Sequence, residues 1–226
     1  MRQFWQFSSW LPYDVSGDTF GAHCDVVNRV EISHARRSSG KWLPDHGPVW
    51  ELRLTLDSFD IDCFGFDTCT LVSERMREAM NLDPSGVRFL DVDLSRSAPL
   101  PRSKKYQLMD ITAVENVSDP SRSVFEMKRF CPESPLVPFR VESIAVRNDA
   151  RPEHELFLDQ FFRAALCSDA LDMRVLKAGC TGVRFMDPSV MWKVAGGHFR
   201  TLRGIEQDAY DAATGLYSTK VVGGLN

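Results

Sequence analysis

The stretch Ser85-Gly-Val-Arg-Phe-Leu-Asp91 recurs ninety-six positions later as Thr181-Gly-Val-Arg-Phe-Met-Asp187. Four identical residues in a row, each followed by an apolar residue and Asp, predict one local structure written twice. What precedes each copy agrees. An apolar pair, Leu71-Val72 or Phe157-Leu158, is followed by Ser73 or Asp159. Such side chains accept hydrogen bonds from the free amides of a helix's first turn. A helical stretch then follows in both, with Arg77 aligned to Arg163, Ala79 to Ala165 and Met80 to Leu166. Met76 and Met80 share one helical face; Phe162, Leu166, Met173 and Leu176 form a stripe in the second copy. Lys177 sits in the expected last turn, and Gly179 can supply a left-handed stop. From cap to glycine the first copy runs 13 residues and the second 23. The extra ten fit as more helix or as a break near Ser168-Asp169.

After each glycine, Val-Arg-Phe-Leu or Val-Arg-Phe-Met alternates as a half-buried strand does. Val87 and Phe89 should point one way, Arg88 and Leu90 the other. Each copy is therefore expected to be a strand–helix–strand unit, its outer strands parallel through a helical crossover. The glycine allows the tight helix-to-strand turn, and the arginine points outward or meets a carboxylate.

The chain has 226 residues, enough for a sizeable core, and its 43% hydrophobic and 26% charged composition is that of a folded protein. The predicted fold is α+β: a single compact domain over 1–226, with an N-terminal aromatic and strand region (1–69), a first repeat unit (70–125), and a second unit with a tail (126–226). His34–Pro48 holds two glycines and two prolines and is expected to be mostly loop. In 49–67, Leu52, Leu54 and Leu56 alternate with polar residues; the phase then slips to Phe59, Ile61 and Cys63, which requires a turn or bulge near Asp57-Ser58. Asp119-Pro120-Ser121 marks a turn. A strand pair is expected around Phe139–Asp149, and the segment after residue 196 is weakly patterned with a frayed end.

The net charge of −4 argues against nucleic acid as a partner. No stretch reaches eighteen apolar residues, so no membrane span is expected. Six cysteines (24, 63, 69, 131, 167 and 180) lie scattered, with no C-x-x-C, as in a reduced cytoplasmic protein. The first residues, broken by Gln3, Gln6, Ser8 and Ser9, make a poor signal peptide. Gly-rich phosphate loops and the nucleophile elbow are missing. His154-Glu155 opens like a zinc-protease helix, but position 158 is Leu. No metal, cofactor or catalytic residue is expected. Asp57, Asp60, Asp62 and Asp67 cluster with Phe59, Phe64 and Phe66. They read as the polar edge of a strand pair or as an acidic, aromatic contact surface, and are the candidate partner-binding residues.

Several motifs occur in a defined order. Leu71-Val72 is followed by Ser73-Glu74-Arg75 at a helix start, and Phe89-Leu90-Asp91-Val92 comes next. Tyr106–Ser123 reads Tyr-x-Leu-x-Asp-Ile-x-x-Val closed by Asp-Pro-Ser-Arg-Ser. Phe139-Arg140 and Ala178-Gly-x-Thr-Gly-Val-Arg-Phe185 complete the series. Over Leu71–Pro188 the chain resembles a bacterial family first catalogued as a domain of unknown function and now classed among immunity proteins of polymorphic toxin systems. The resemblance implies a cytoplasmic protein that neutralises a cognate secreted toxin by direct stoichiometric binding and is usually encoded beside that toxin; the missing catalytic signatures argue against an enzyme. It carries over no catalytic residues. A secretion-system adaptor or chaperone, or an enzyme of unknown class, remains the alternative.

Overall fold

Both Gly-Val-Arg-Phe stretches are strands, and both end the same supersecondary unit. The computed structural model describes residues 4–9, 22–39, 47–56, 61–66, 69–97, 105–190, 198–201, 204–211 and 216–223. In chain order the first elements are β1 (Phe4–Ser9), β2 (Ala22–Val26), α1 (Arg29–Ser39), β3 (Trp50–Leu56), β4 (Cys63–Phe66), β5 (Cys69–Ser73), α2 (Glu74–Met80) and β6 (Val87–Asp93). There follow β7 (Tyr106–Ile111), β8 (Val114–Glu115), β9 (Val124–Lys128), β10 (Val137–Ser143), β11 (Leu156–Asp159) and β12 (Ala165–Ser168). The last are α3 (Asp169–Lys177), β13 (Val183–Met186), β14 (His198–Thr201), β15 (Gly204–Asp211) and β16 (Leu216–Gly223). The fold is α+β.

The repeated unit is a hairpin, a helix and a returning strand: β4-β5-α2-β6, then β11-β12-α3-β13. In both, one antiparallel strand is inserted between the cap strand and the returning strand. In the first unit it is β7, paired with β5 and β6. In the second it is β1, paired with β12 and β13. The outer strands are thus parallel, as expected, but they do not touch. The inserted strand follows directly in one unit and comes from the far N-terminal side of the chain in the other. Around these cores the sheets extend to β2-β3-β6-β7-β5-β4 and β16-β15-β14-β13-β1-β12-β11-β8.

The second helix corrects the sequence reading. Its cap is Ser168, whose hydroxyl accepts from the Leu171 amide, as Ser73 accepts from Met76 in the first. Ser73 stands 13 positions before Gly86, and Ser168 stands 14 before Gly182. The copies are therefore nearly equal in length, and the break near Ser168 is the correct alternative. Asp159 does begin a cap: its carboxylate accepts from the amides of Phe161 and Phe162. However, Arg163 turns left-handed (φ 57), and the Asp159 amide donates to Ala164 O, which closes a hairpin. Burial explains the override. Leu156 and Cys167 face one core while their neighbours Phe157 and Leu166 face another. Period-two burial on both faces requires a strand. The expected stripe shifts accordingly: Leu171, Val175 and Leu176 are the buried apolar residues of α3.

The central core lies between the two units. Met76 and Met80 of α2 meet Leu171, Val175 and Leu176 of α3, together with Val87, Val183 and Phe185 from the repeated strands. A second core, under the outer face of the six-stranded sheet, joins Leu52, Leu54, Leu71 and Leu108 to Ile32 of α1. The third backs the eight-stranded sheet. Two further stretches hold regular structure. Part of His34–Pro48 is helix, because α1 runs to Ser39. The tail after residue 196 forms β14–β16, a meander on the edge of the sheet. The slip near Asp57-Ser58 lies outside the described residues.

Candidate functional site

Asp62, proposed on a contact surface by its sequence neighbours, is completely buried. Its carboxylate accepts from the Ser73 hydroxyl (2.6 Å), from Arg75, and from the amide of Thr181 (2.9 Å). It is a structural tie between the two units and presents nothing to a partner. Asp57, Asp60 and Asp67 lie outside the described residues. In the second unit Glu155 holds the matching place: it accepts from the Ser168 hydroxyl and pairs with Arg174. The Arg174 hydrogen bonds are the main reason its carboxyl lies below the ordinary glutamate range.

The glycines complete a reciprocal clasp. Gly182 (φ 75) lies against Ile61 and Cys63 of the first unit, where a Cβ would come within 2.7 Å of Ile61 Cγ2 and closer still to Cys63 O. Gly86 lies against the His154 ring of the second. That ring joins Glu115 Oε1 (2.8 Å from Nδ1) and Ser85 Oγ (3.4 Å from Nε2), an order of groups familiar from acyl transfer. Such chemistry also needs amides aimed at a developing oxyanion. Here the Ser85 amide donates to Asp83 Oδ1 and the Gly86 amide to Asp83 O. The chain Ser85–His154–Glu115 links the two units. Among the described residues, no group of three or more His, Cys, Asp or Glu is placed to hold a metal ion.

A different feature overlaps the strand pair expected around Phe139–Asp149. Among the described residues, β9 and β10 pair only with each other and form a separate two-stranded ribbon. An isolated ribbon of this kind is marginal in water. This one carries large apolar groups outward: Phe130 is 65% exposed, Leu136 52% and Met127 45%. On one face Phe130 and Phe139 meet edge to face (5.8 Å), with Lys128 Nζ 5.1 and 4.6 Å from the two ring centres. At the root, Phe125 packs edge-on against Phe161 and Phe162. Left-handed Arg140 (φ 46) lies in the irregular stretch after Phe139, where the register shifts.

Beside the root opens a cleft of about 550 Å³ lined by Ser118, Asp119, Pro120, Arg147, Gln160 and Phe161, among others. The buried Asp159 carboxylate fixes its floor, accepting from the amide and hydroxyl of Ser118. Phe161 lines the cleft and packs against Phe125 of the ribbon, so the two are neighbours. The sequence did hold a trace of the ribbon: Cys131-Pro-Glu-Ser-Pro135 separates two runs rich in Val and Phe, which is a hairpin pattern.

Residues 57–190 match the model of the Imm11 immunity protein family, about 60% of the chain. That span holds both hairpin–helix–strand units and the ribbon, and leaves out β1 and the β14–β16 meander. No curated protein matches the chain.

Proposed function

The chain belongs to the Imm11 immunity protein family, and from that premise we propose that it neutralises one cognate toxin by direct stoichiometric binding in the cytoplasm, without catalysis. The observation that carries this reading is the family match across both repeated units. A binding role also suits the surface: apolar side chains held outward on a ribbon tend to mark a protein interface. Among the described residues, the Ser85–His154–Glu115 chain, which resembles a catalytic triad, has its neighbouring amides already engaged. No helix among the described residues is long and apolar enough to cross a membrane.

The test is a rescue. The protein encoded by the adjacent reading frame is expressed in a test bacterium with and without this chain. Survival restored by an equimolar amount, with a complex that co-purifies at fixed ratio, is the expected result. Toxicity that persists despite excess of this chain overturns the reading. Rescue at strongly substoichiometric amounts replaces binding with an enzymatic mode of protection.

A further inference from the structure

We infer that the β9–β10 ribbon is the toxin-docking element, and that its tip enters a toxin cleft with an apolar floor and carboxylates at its rim. The inference rests on the proposed immunity role and names the surface that performs it. Nine large apolar side chains are exposed among the described residues, and Val124, Met127, Phe130, Leu136 and Phe161 lie on the ribbon or at its root. Among the described residues, the ribbon's own exposed side chains lie outside all three cores. An exposed aromatic is a common form of binding anchor.

Charge identifies the partner. Residues 127–136 carry Lys128 and Arg129 against one carboxylate, Glu133, in a chain of net charge −4. Arg140 is neutralised within the ribbon by Glu126. By contrast, Lys128 lies over aromatic rings, and Arg129 donates to Pro132 O in its own turn. Among the described residues, neither has a carboxylate partner. Two cations without a carboxylate partner next to an exposed phenylalanine suit an acidic rim around an apolar pocket. Charges so placed speed encounter and fix register, while the aromatic supplies the lasting contact.

The test uses the full chain and the purified product of the adjacent reading frame. Three variants are compared with the wild type: Phe130→Ala, the double change Lys128→Glu with Arg129→Glu, and the triple change of Asp57, Asp60 and Asp67 to Asn. Phe130→Ala is expected to weaken binding by about 30-fold or more. The charge reversal is expected to slow association by about tenfold, with the gap closing at high salt. The acidic triple variant should bind as wild type. Thermal unfolding should be nearly unchanged in the ribbon variants, so lost binding is not lost folding. If the wild type binds and rescues while both ribbon variants do so equally well, the ribbon is not the docking element, although the immunity role stands. If the wild type itself does not bind, both ideas fall. If the chain alone forms a dimer that Phe130→Ala abolishes, the ribbon covers itself in a second copy and the toxin assignment is overturned.

Discussion

Asp62 and Thr181, 119 positions apart, hold each other by backbone and side chain at once. The amide of Asp62 donates to Thr181 O (3.1 Å), and the amide of Thr181 donates to the Asp62 carboxylate (2.9 Å). This fastens the approach to the first hairpin to the glycine turn of the second unit. The core that α2 and α3 share depends on that closure.

Replacing Asp62 by Ala should therefore destabilise strongly. It strips Ser73, Thr181 and Arg75 of their acceptor inside the fold. The expected loss is about 3 kcal/mol in urea unfolding. Arg75 keeps partial access to water, which limits the cost of its lost partner. A loss below about 1 kcal/mol would show that the two units do not rely on this tie.

The three described turn glycines should respond unequally to alanine. Gly182 combines a left-handed backbone with a collision against backbone atoms of Cys63, so Gly182→Ala should cost about 3 kcal/mol or more. Gly179 is equally left-handed (φ 73) but open, and Ala there should cost about 1 kcal/mol. Gly86 meets the His154 ring, which can rotate, so an intermediate loss is expected. Calorimetric melting of the three variants reads the order directly.

Acid should weaken the fold partly through Glu155. Arg174 holds its folded carboxyl below the ordinary value of 4.5. A depressed carboxyl stabilises at pH above its unfolded value and loses that contribution as pH falls through the folded one. Stability measured by denaturant should thus decline as pH drops below about 4.5. Glu155→Gln should start less stable at pH 7 and show a flatter acid limb. Identical acid limbs in the two proteins would remove Glu155 from the account.

Cysteine reactivity should divide sharply. Cys63, Cys167 and Cys180 are buried, and burial, helped by the nearby Asp62 charge, pushes the Cys63 thiol well up. Cys131 is exposed at the ribbon tip. Under native conditions a maleimide should modify Cys131 within minutes and leave the other three until the protein unfolds. Mass spectrometry of the labelled peptides decides it; rapid native labelling of Cys63 would mean that the clasp opens.

Much of the repeated unit could be read directly from the chain. The alternation in Val87–Leu90, the paired Met76 and Met80, the cap at Ser73 and the stop at Gly179 all act over a few residues, where side-chain period and backbone freedom suffice. Leu52 and Leu54 are buried as their spacing implied. Local pattern failed where a distant partner chose the state. Asp159–Ala164 begins like a helix, but two cores on opposite faces of β11 and β12 make that stretch a hairpin. Asp62 looked like one charge among four, and only Thr181, brought from the other copy, makes it interior. The seat of β1 between β12 and β13 joins residues 160 to 180 positions apart, which no local period encodes. The ribbon's exposure was equally hidden, since Val, Met and Phe alternate alike in a core strand and in one left open. Periodicity fixes which residues share a face; only the packed chain decides whether that face meets protein or water.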